Sequence, residues 1–217
     1  MTHRIGVFDS GVGGLSVVHA IEKELPDCTI LFENDTANVP YGTKTPDKLL
    51  DLVLPHLKKL EAQNCDVIVI ACNTITTTII GKLRELLSVP LIGMEPMVKP
   101  AASSTKSGII AICATPTTLA SPRYQQLKER YASEIKVLEP DCSDWSYMIE
   151  TNTVDRDKIT SITTDVCQSG ADIIVLGCTH YHWIEELIKE AAAGRAEVLQ
   201  PEAPVIAQLR RVLAQQP

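Results

Sequence analysis

The chain is 217 residues long, 45% hydrophobic and 22% charged, enough to bury a core in one large domain or two small ones. Its net charge of −7 and isoelectric point near 5.2 argue against a general nucleic-acid binder, which needs a basic face for phosphates. No apolar run approaches the roughly 18 residues of a membrane helix, and the opening MTHRIGVFDSG is too polar and Gly-rich for a signal peptide.

Along the chain, short aliphatic runs end in polar loops: RIGVF (4–8), CTILF (28–32), DVIVI (66–70), PLIGM (90–94), GIIAIC (108–113), EIKVL (134–138) and DIIVL (172–176). Near-continuous runs of this length predict buried parallel strands. Amphipathic stretches between them predict helices over LSVVHAIEKEL (15–25), DKLLDLVLPHLKKLEAQ (47–63) and HWIEELIKEAAA (182–193), with a last helix in QPEAPVIAQLRRVL (200–213). Strand–helix alternation implies βαβ units on parallel sheets, hence the α/β class. The seven cysteines show no CxxC spacing and no dense framework, which suits free thiols in a reducing cytoplasm. Cys28, Cys65 and Cys113 read as small buried hydrophobes.

The two halves repeat one another. DVIVIACNT (66–74) and DIIVLGCTH (172–180) share an acidic start, four aliphatics, a small residue and a cysteine followed closely by threonine. Each is preceded by an earlier strand with a polar loop, GVFDSGVGG (6–14) and GIIAICATPTT (108–118), and the proline-containing VPLIGMEPMVKPAA (89–102) is the natural joint. Two pseudo-symmetric α/β lobes are therefore expected: residues 1–95, then residues 96–202, with a C-terminal helix over 203–217 packing back on the first. Ligands of open parallel sheets bind beyond the carboxyl ends of the strands. Cys72 and Cys178 both fall there, at the entry to a following helix that Asn73 or Thr74, and Thr179, can cap. A helix N-terminus favours a thiolate. Core packing explains repeated aliphatics but not repeated Cys-Thr. Two thiols facing each other across a cleft suit removal of a proton from one face of a carbon and its return to the other, without any cofactor. The pair must differ by one proton in the working state; Asp9 and His180 are the neighbours able to help ionise one thiol or the other.

Other constellations leave alternatives open. DSGVGG (9–14) is not GxGxxG; its backbone N–H groups and the Ser10 hydroxyl suit a carboxylate, or simply form a tight βα turn. Cys178, His180 and His182 form a C-x-H-x-H cluster, short of the four ligands of a closed zinc site. Cys178 with His180 also fits a thiol hydrolase, which leaves the Cys72 copy unexplained. VPYGTKT (39–45) offers hydroxyls and a Tyr-Gly turn, and ATPTT (114–118) two threonines at the corresponding place of the second half.

Taken together, FDSGVGGLSV, DTANVPYG, ACNT, ATPTTLASPRY and LGCTHY closely resemble the signature segments of the glutamate racemases, in the aspartate/glutamate racemase superfamily, from about residue 4 to residue 183. Ile75-Thr76 after ACNT, His182 after CTHY and the DCSDWSYMIE segment (141–150) depart from the usual pattern. The resemblance implies a fold of two pseudo-symmetric lobes with the active site between them, and no cofactor or metal. It implies that Cys72 deprotonates D-glutamate with help from Asp9, and that Cys178 deprotonates L-glutamate with help from His180. It implies that Ser10, Asn73, Thr74 and Thr179 hold the α-carboxylate and ammonium, and that Tyr41 and Gly42 receive the side-chain carboxylate. Thr115 and Thr118 would line the cleft and Glu150 would stand near the second thiol. A cytoplasmic homodimer supplying D-glutamate for peptidoglycan is implied too, without nucleic-acid or membrane partners. A racemase of another small amino acid such as aspartate, or a weakly catalytic amino-acid-binding homologue, are the alternatives.

Overall fold

The computed structural model describes residues 2–215. The chain runs β1 (Arg4–Asp9), α1 (Gly14–Glu24), β2 (Thr29–Asn34), α2 (Pro46–Ala62), β3 (Val67–Ile70), α3 (Asn73–Leu86), β4 (Leu91–Gly93) and α4 (Val98–Ser104). It continues with β5 (Ile109–Ala114), α5 (Pro116–Ala120), α6 (Pro122–Tyr131), β6 (Lys136–Leu138), α7 (Trp145–Glu150), α8 (Arg156–Gln168) and β7 (Ile173–Gly177). A 3-10 turn (Thr179–Ile184), α9 (Glu185–Ala192), β8 (Glu197–Leu199) and α10 (Glu202–Leu213) complete it.

The strands form two four-stranded parallel sheets of the same order, β2-β1-β3-β4 and β6-β5-β7-β8. The repeat read in the sequence is thus a repeat of topology: β1 corresponds to β5, and β3 to β7. All four residues of β3 and all five of β7 are buried, because helices cover both faces of each sheet. Phe8, Ile68 and Ile70 pack with α2 and α3 on one face of the first sheet; Ile5, Val7, Val67 and Val69 pack with α1 and α10 on the other. The second sheet is enclosed likewise, with Ala111, Ile174 and Leu176 against α7, α8 and α9, and Ile110, Ile112 and Val175 against α4 and α6. Each such aliphatic side chain removed from water stabilises the fold by about 1.5–3 kcal/mol.

Helix starts follow local chemistry. Thr45, Thr115 and Ser121 each accept the backbone N–H three residues on, and each is followed by a proline at the first helical position of α2, α5 and α6. All seven predicted strands form, with boundaries moved by up to a few residues. Three elements differ from expectation. The helix predicted from residue 182 starts at Glu185, because the six residues after Cys178 wind more tightly, as a 3-10 turn. Strand β8 has only three residues, Glu197–Leu199, and pairs with β7; so short a run carries no period in the sequence. The last helix ends at Leu213 with its Val205, Ile206, Leu209 and Leu213 on the first sheet, and residues 216–217 of the expected 203–217 helix lie outside the described residues. Among the described residues, no helix is long and apolar enough to cross a membrane.

Candidate active site

A cavity of about 70 Å3 opens at the carboxyl ends of β1, β3, β5 and β7. Cys72 and Cys178, each the residue before a helical segment, both line it. So do Ser10, Tyr41, Gly42, Asn73, Thr74, Thr115, Glu150, Thr179 and His180. Two residues expected in the cleft stand behind its wall. Thr118 is fully buried and joins Thr74 and Thr115 in a cluster of hydroxyls 3.0–3.3 Å apart. Asp9 is fully buried and accepts the Gly14 N–H at 2.7 Å and the Thr179 hydroxyl at 3.3 Å.

Helix capping is not what the sequence suggested. Cys72 and Cys178 are themselves the residues at the cap positions, and neither caps with its side chain. Asn73 instead donates through Nδ2 to the Met94 carbonyl at 3.1 Å, its buried Oδ1 without a partner among the described residues. Thr74 bonds Thr115 at 3.0 Å, and Thr179 bonds Asp9. Asp9 and Thr179 come from opposite halves of the chain, so this bond ties the end of β1 to the Cys178 turn.

The two thiols sit in unlike surroundings. Burial pushes the Cys72 thiol well up, and the Asp9 charge pushes the same way; the Ile75 N–H and the Ser10 hydroxyl, 3.8 Å from the sulfur, oppose them and lose. The N–H groups at the helix N-terminus favour the Cys72 thiolate as expected, but desolvation outweighs them. No hydrogen bond joins Asp9 to Cys72 among the described residues. Burial also raises the Asp9 carboxyl above its usual range, against the pull of His180 and the Ser10, Gly14 and Gly11 N–H groups. Around the other thiol, His180 Nδ1 lies 3.9 Å from Cys178 Sγ, and His180 Nε2 lies 2.7 Å from Glu150 Oε2. Burial works against a charged His180, yet its bonds to Cys178 and Glu150 raise it well above the usual imidazole range. Glu150 is held low by the same contact despite its own partial burial.

The glycine-rich loop aims its N–H groups at the protein's own carboxylates. Val12 N–H faces Glu150 Oε2 at 3.4 Å, and Gly14 N–H binds Asp9. A Cβ on Gly11 would come within 2.8 Å of Glu150 Oε2, and one on Gly13 within 2.7 Å of the His180 nitrogen of the backbone. The loop must be bare to pack against the Cys178 turn. The loop 35–43 is shaped by Asp35, which accepts from the Tyr41 hydroxyl at 2.7 Å and from Asn38 at 2.8 Å. Thr117 donates to the Gly42 carbonyl, and a Cβ on Gly42 would strike Thr115 at 2.8 Å. His182, third member of the C-x-H-x-H cluster, turns away from Cys178 to Glu202 at 2.5 Å. Among the described residues, no three Cys, His, Asp or Glu side chains converge in a metal-holding group.

Sequence reasoning missed Val39, Pro40, Ser146, Tyr147 and Thr151 in the lining. Ser146 and Tyr147 lie one helical turn before Glu150, so the spacing around that acidic residue was the available signal.

A family model described as Asp/Glu/hydantoin racemase matches residues 5–209. The chain belongs to this family. Curated relatives within it include the glutamate racemase of Pseudomonas putida, 36% identical over 96% of this chain and 81% of its own. The glutamate racemase of Herpetosiphon aurantiacus is 37% identical over 97% of this chain and 84% of its own. Among solved structures, Escherichia coli glutamate racemase in complex with L-glutamate and activator UDP-MurNAc-Ala superposes with a TM-score of 0.92 at 27% identity, covering 100% of this chain and 84% of that one. The Francisella tularensis glutamate racemase bound to D-glutamate gives 0.81 at 28% identity, covering 99% and 82%. The racemase family membership extends across both sheets and both cysteine turns.

Proposed function

We propose that the protein interconverts L- and D-glutamate by a two-thiol mechanism. The observation that carries the reading is the placement of Cys72 and Cys178 at corresponding strand ends, β3 and β7, lining one cavity. One sulfur, as thiolate, takes the α-proton; the electron pair left on Cα is delocalised into the α-carboxylate; the other thiol delivers its proton to the opposite face. The proton count of the pair is unchanged, with the two sulfurs exchanging roles. Cys72, held as a thiol by burial and the Asp9 charge, is set up as the donor. It would therefore protonate the carbanion that Cys178 makes from L-glutamate, and the reverse direction begins after the proton has moved. His180, bonded to both Cys178 and Glu150, exchanges protons with Cys178. Asp9, behind the wall, acts on Cys72 through its charge and on Thr179 through its bond.

Ser10, Asn73, Thr74 and Thr179 would hold the α-carboxylate and ammonium, the unpaired Asn73 Oδ1 being an acceptor available to an ammonium. Tyr41 and Gly42 would receive the side-chain carboxylate, with Thr115 on the wall and Thr118 supporting it. The chemistry needs no cofactor. Curated relatives that match include glutamate racemases, which supports D-glutamate supply for peptidoglycan, in the cytoplasm, as the role. The partition of strands between two sheets supports lobes of residues 1–95 and 96–202, with 203–217 returning to the first. Releasing such lobes by limited proteolysis would take two cuts, one between β4 and β5 and one between β8 and α10. The homodimer that the resemblance implies would sediment at twice the chain mass.

The deciding experiment incubates the protein in D2O with each enantiomer and follows the α-proton by NMR beside a chiral assay. Loss of the signal from both, with formation of the opposite hand, is expected. No loss from either would overturn the reading, and aspartate in a parallel tube tests the nearest alternative substrate.

A further inference from the structure

His182 lies two residues beyond His180 on the same 3-10 turn, yet it does not line the cavity. Its ring is 4% exposed, with Nδ1 2.5 Å from Glu202 Oε1 and 2.9 Å from Ser16 Oγ. The Ser16 hydroxyl gives its own proton to the Gly13 carbonyl at 3.0 Å, so Ser16 Oγ and the Glu202 carboxylate are both acceptors here. Nδ1 must then carry the proton and share it between them. Three elements meet at this nitrogen: the turn after β7, helix α1 beside the first sheet, and the first turn of α10.

Packing alone does not account for the residue. Its buried Nε2 has no partner among the described residues. An apolar side chain would fill the place without stranding a polar atom. What the imidazole supplies is a connection. It runs from Glu202 through His182 and Ser16 to Gly13, in the loop that presses against the His180 backbone and whose Val12 N–H faces Glu150.

We propose that His182 is a positioning residue for the Cys178–His180 pair. The Glu202–His182–Ser16 clamp fixes the turn from its far side, and so sets how His180 Nδ1 meets Cys178 Sγ. The consequence of losing the clamp falls on one thiol of the two. Cys72, at the end of β3, is not held by it.

The test compares H182A, H182N and E202Q with the parent. Asn retains an N–H donor near the Nδ1 position, and E202Q leaves the ring in place should H182A fail to fold. The first readout is alkylation by iodoacetamide, followed by mass spectrometry at Cys178 and Cys72 separately. This needs no turnover and is independent of the racemase reading on which the inference rests. H182A and E202Q should alkylate Cys178 about tenfold more slowly with Cys72 within about twofold of the parent, while H182N stays near the parent. The second readout is racemisation, where kcat should fall about tenfold or more in H182A with KM within about threefold. Unchanged Cys178 alkylation in H182A and E202Q overturns the proposal, as does an equal change at both thiols. A parent that does not racemise glutamate, with Cys178 still selectively slowed in H182A, removes the racemase reading and leaves the clamp.

Discussion

At the scale of single residues, the asymmetry between the two thiols makes the chemistry testable. Cys72→Ser or Cys178→Ser removes one of two proton carriers, since a hydroxyl is far less acidic than a thiol. Each should lower racemisation by roughly a hundredfold or more while leaving the melting temperature nearly unchanged. The retained thiol should still exchange the α-proton of one enantiomer with solvent. NMR in D2O on each variant, with each enantiomer, checks both statements. The His180–Glu150 pair has a pH signature with a definite sign. His180 is raised, so its contribution to stability is complete below the unfolded imidazole value of about 6.5 and is lost as pH rises through the higher folded value. Glu150 is lowered, so its contribution is present above about 4.3 and is lost on acidification. The melting-temperature gap between parent and H180N should therefore be widest between those two pH values and shrink on either side, as calorimetry across pH would show. A gap that does not vary with pH would contradict a charged pair.

At the scale of elements, the glycine loop between β1 and α1 is one place where the two halves touch closely. Gly13→Ala places a carbon 2.7 Å from the His180 backbone nitrogen, and backbone cannot rotate aside. The variant should lose about 1–3 kcal/mol in urea unfolding, and more than about tenfold in kcat, because the displaced turn carries His180. Ala at Gly81, whose Cβ meets nothing within 4 Å, is the matched control. The elements also show how far a sequence can be read. Strand ends, the two Cys-Thr turns and the α/β alternation were legible, because buried parallel strands are written as unbroken aliphatic runs. The short β8 was not, since three residues repeat no apolar period; α8 does carry one, at Ile159, Ile162 and Val166, but the threonines between them mask it. Asn73, Thr74 and Thr179 fall one or two residues inside their helical segments rather than at the cap, and tertiary partners, Met94, Thr115 and Asp9, hold their side chains. The high Cys72 thiol was illegible for a related reason: burial is a property of the assembled cleft, and no local window contains it.

At the scale of the whole molecule, the small cavity of about 70 Å3 and the bond from Thr179 to Asp9 imply that substrate enters as the two halves move apart. Glutamate binding should favour the closed arrangement and raise the melting temperature. At a hundred times Kd the linkage is about 2.7 kcal/mol. A thermal shift that appears with glutamate and not with lysine, and that survives in Cys72→Ser, would separate binding from turnover. The order of the chain constrains the form that any such motion takes. It passes from the first sheet to the second after β4, and comes back between β8 and α10. Pro96, on the outgoing crossing just before α4, and Pro201, on the return just before α10, line one recess of about 440 Å3, so the two crossings lie near one another. A single crossing would be a tether about which one sheet can turn freely against the other. Two adjacent crossings act more like the two leaves of a door hinge: they favour one swinging motion over free twist, so a closure about them would return Cys72 and Cys178 to the same places in the cavity lining.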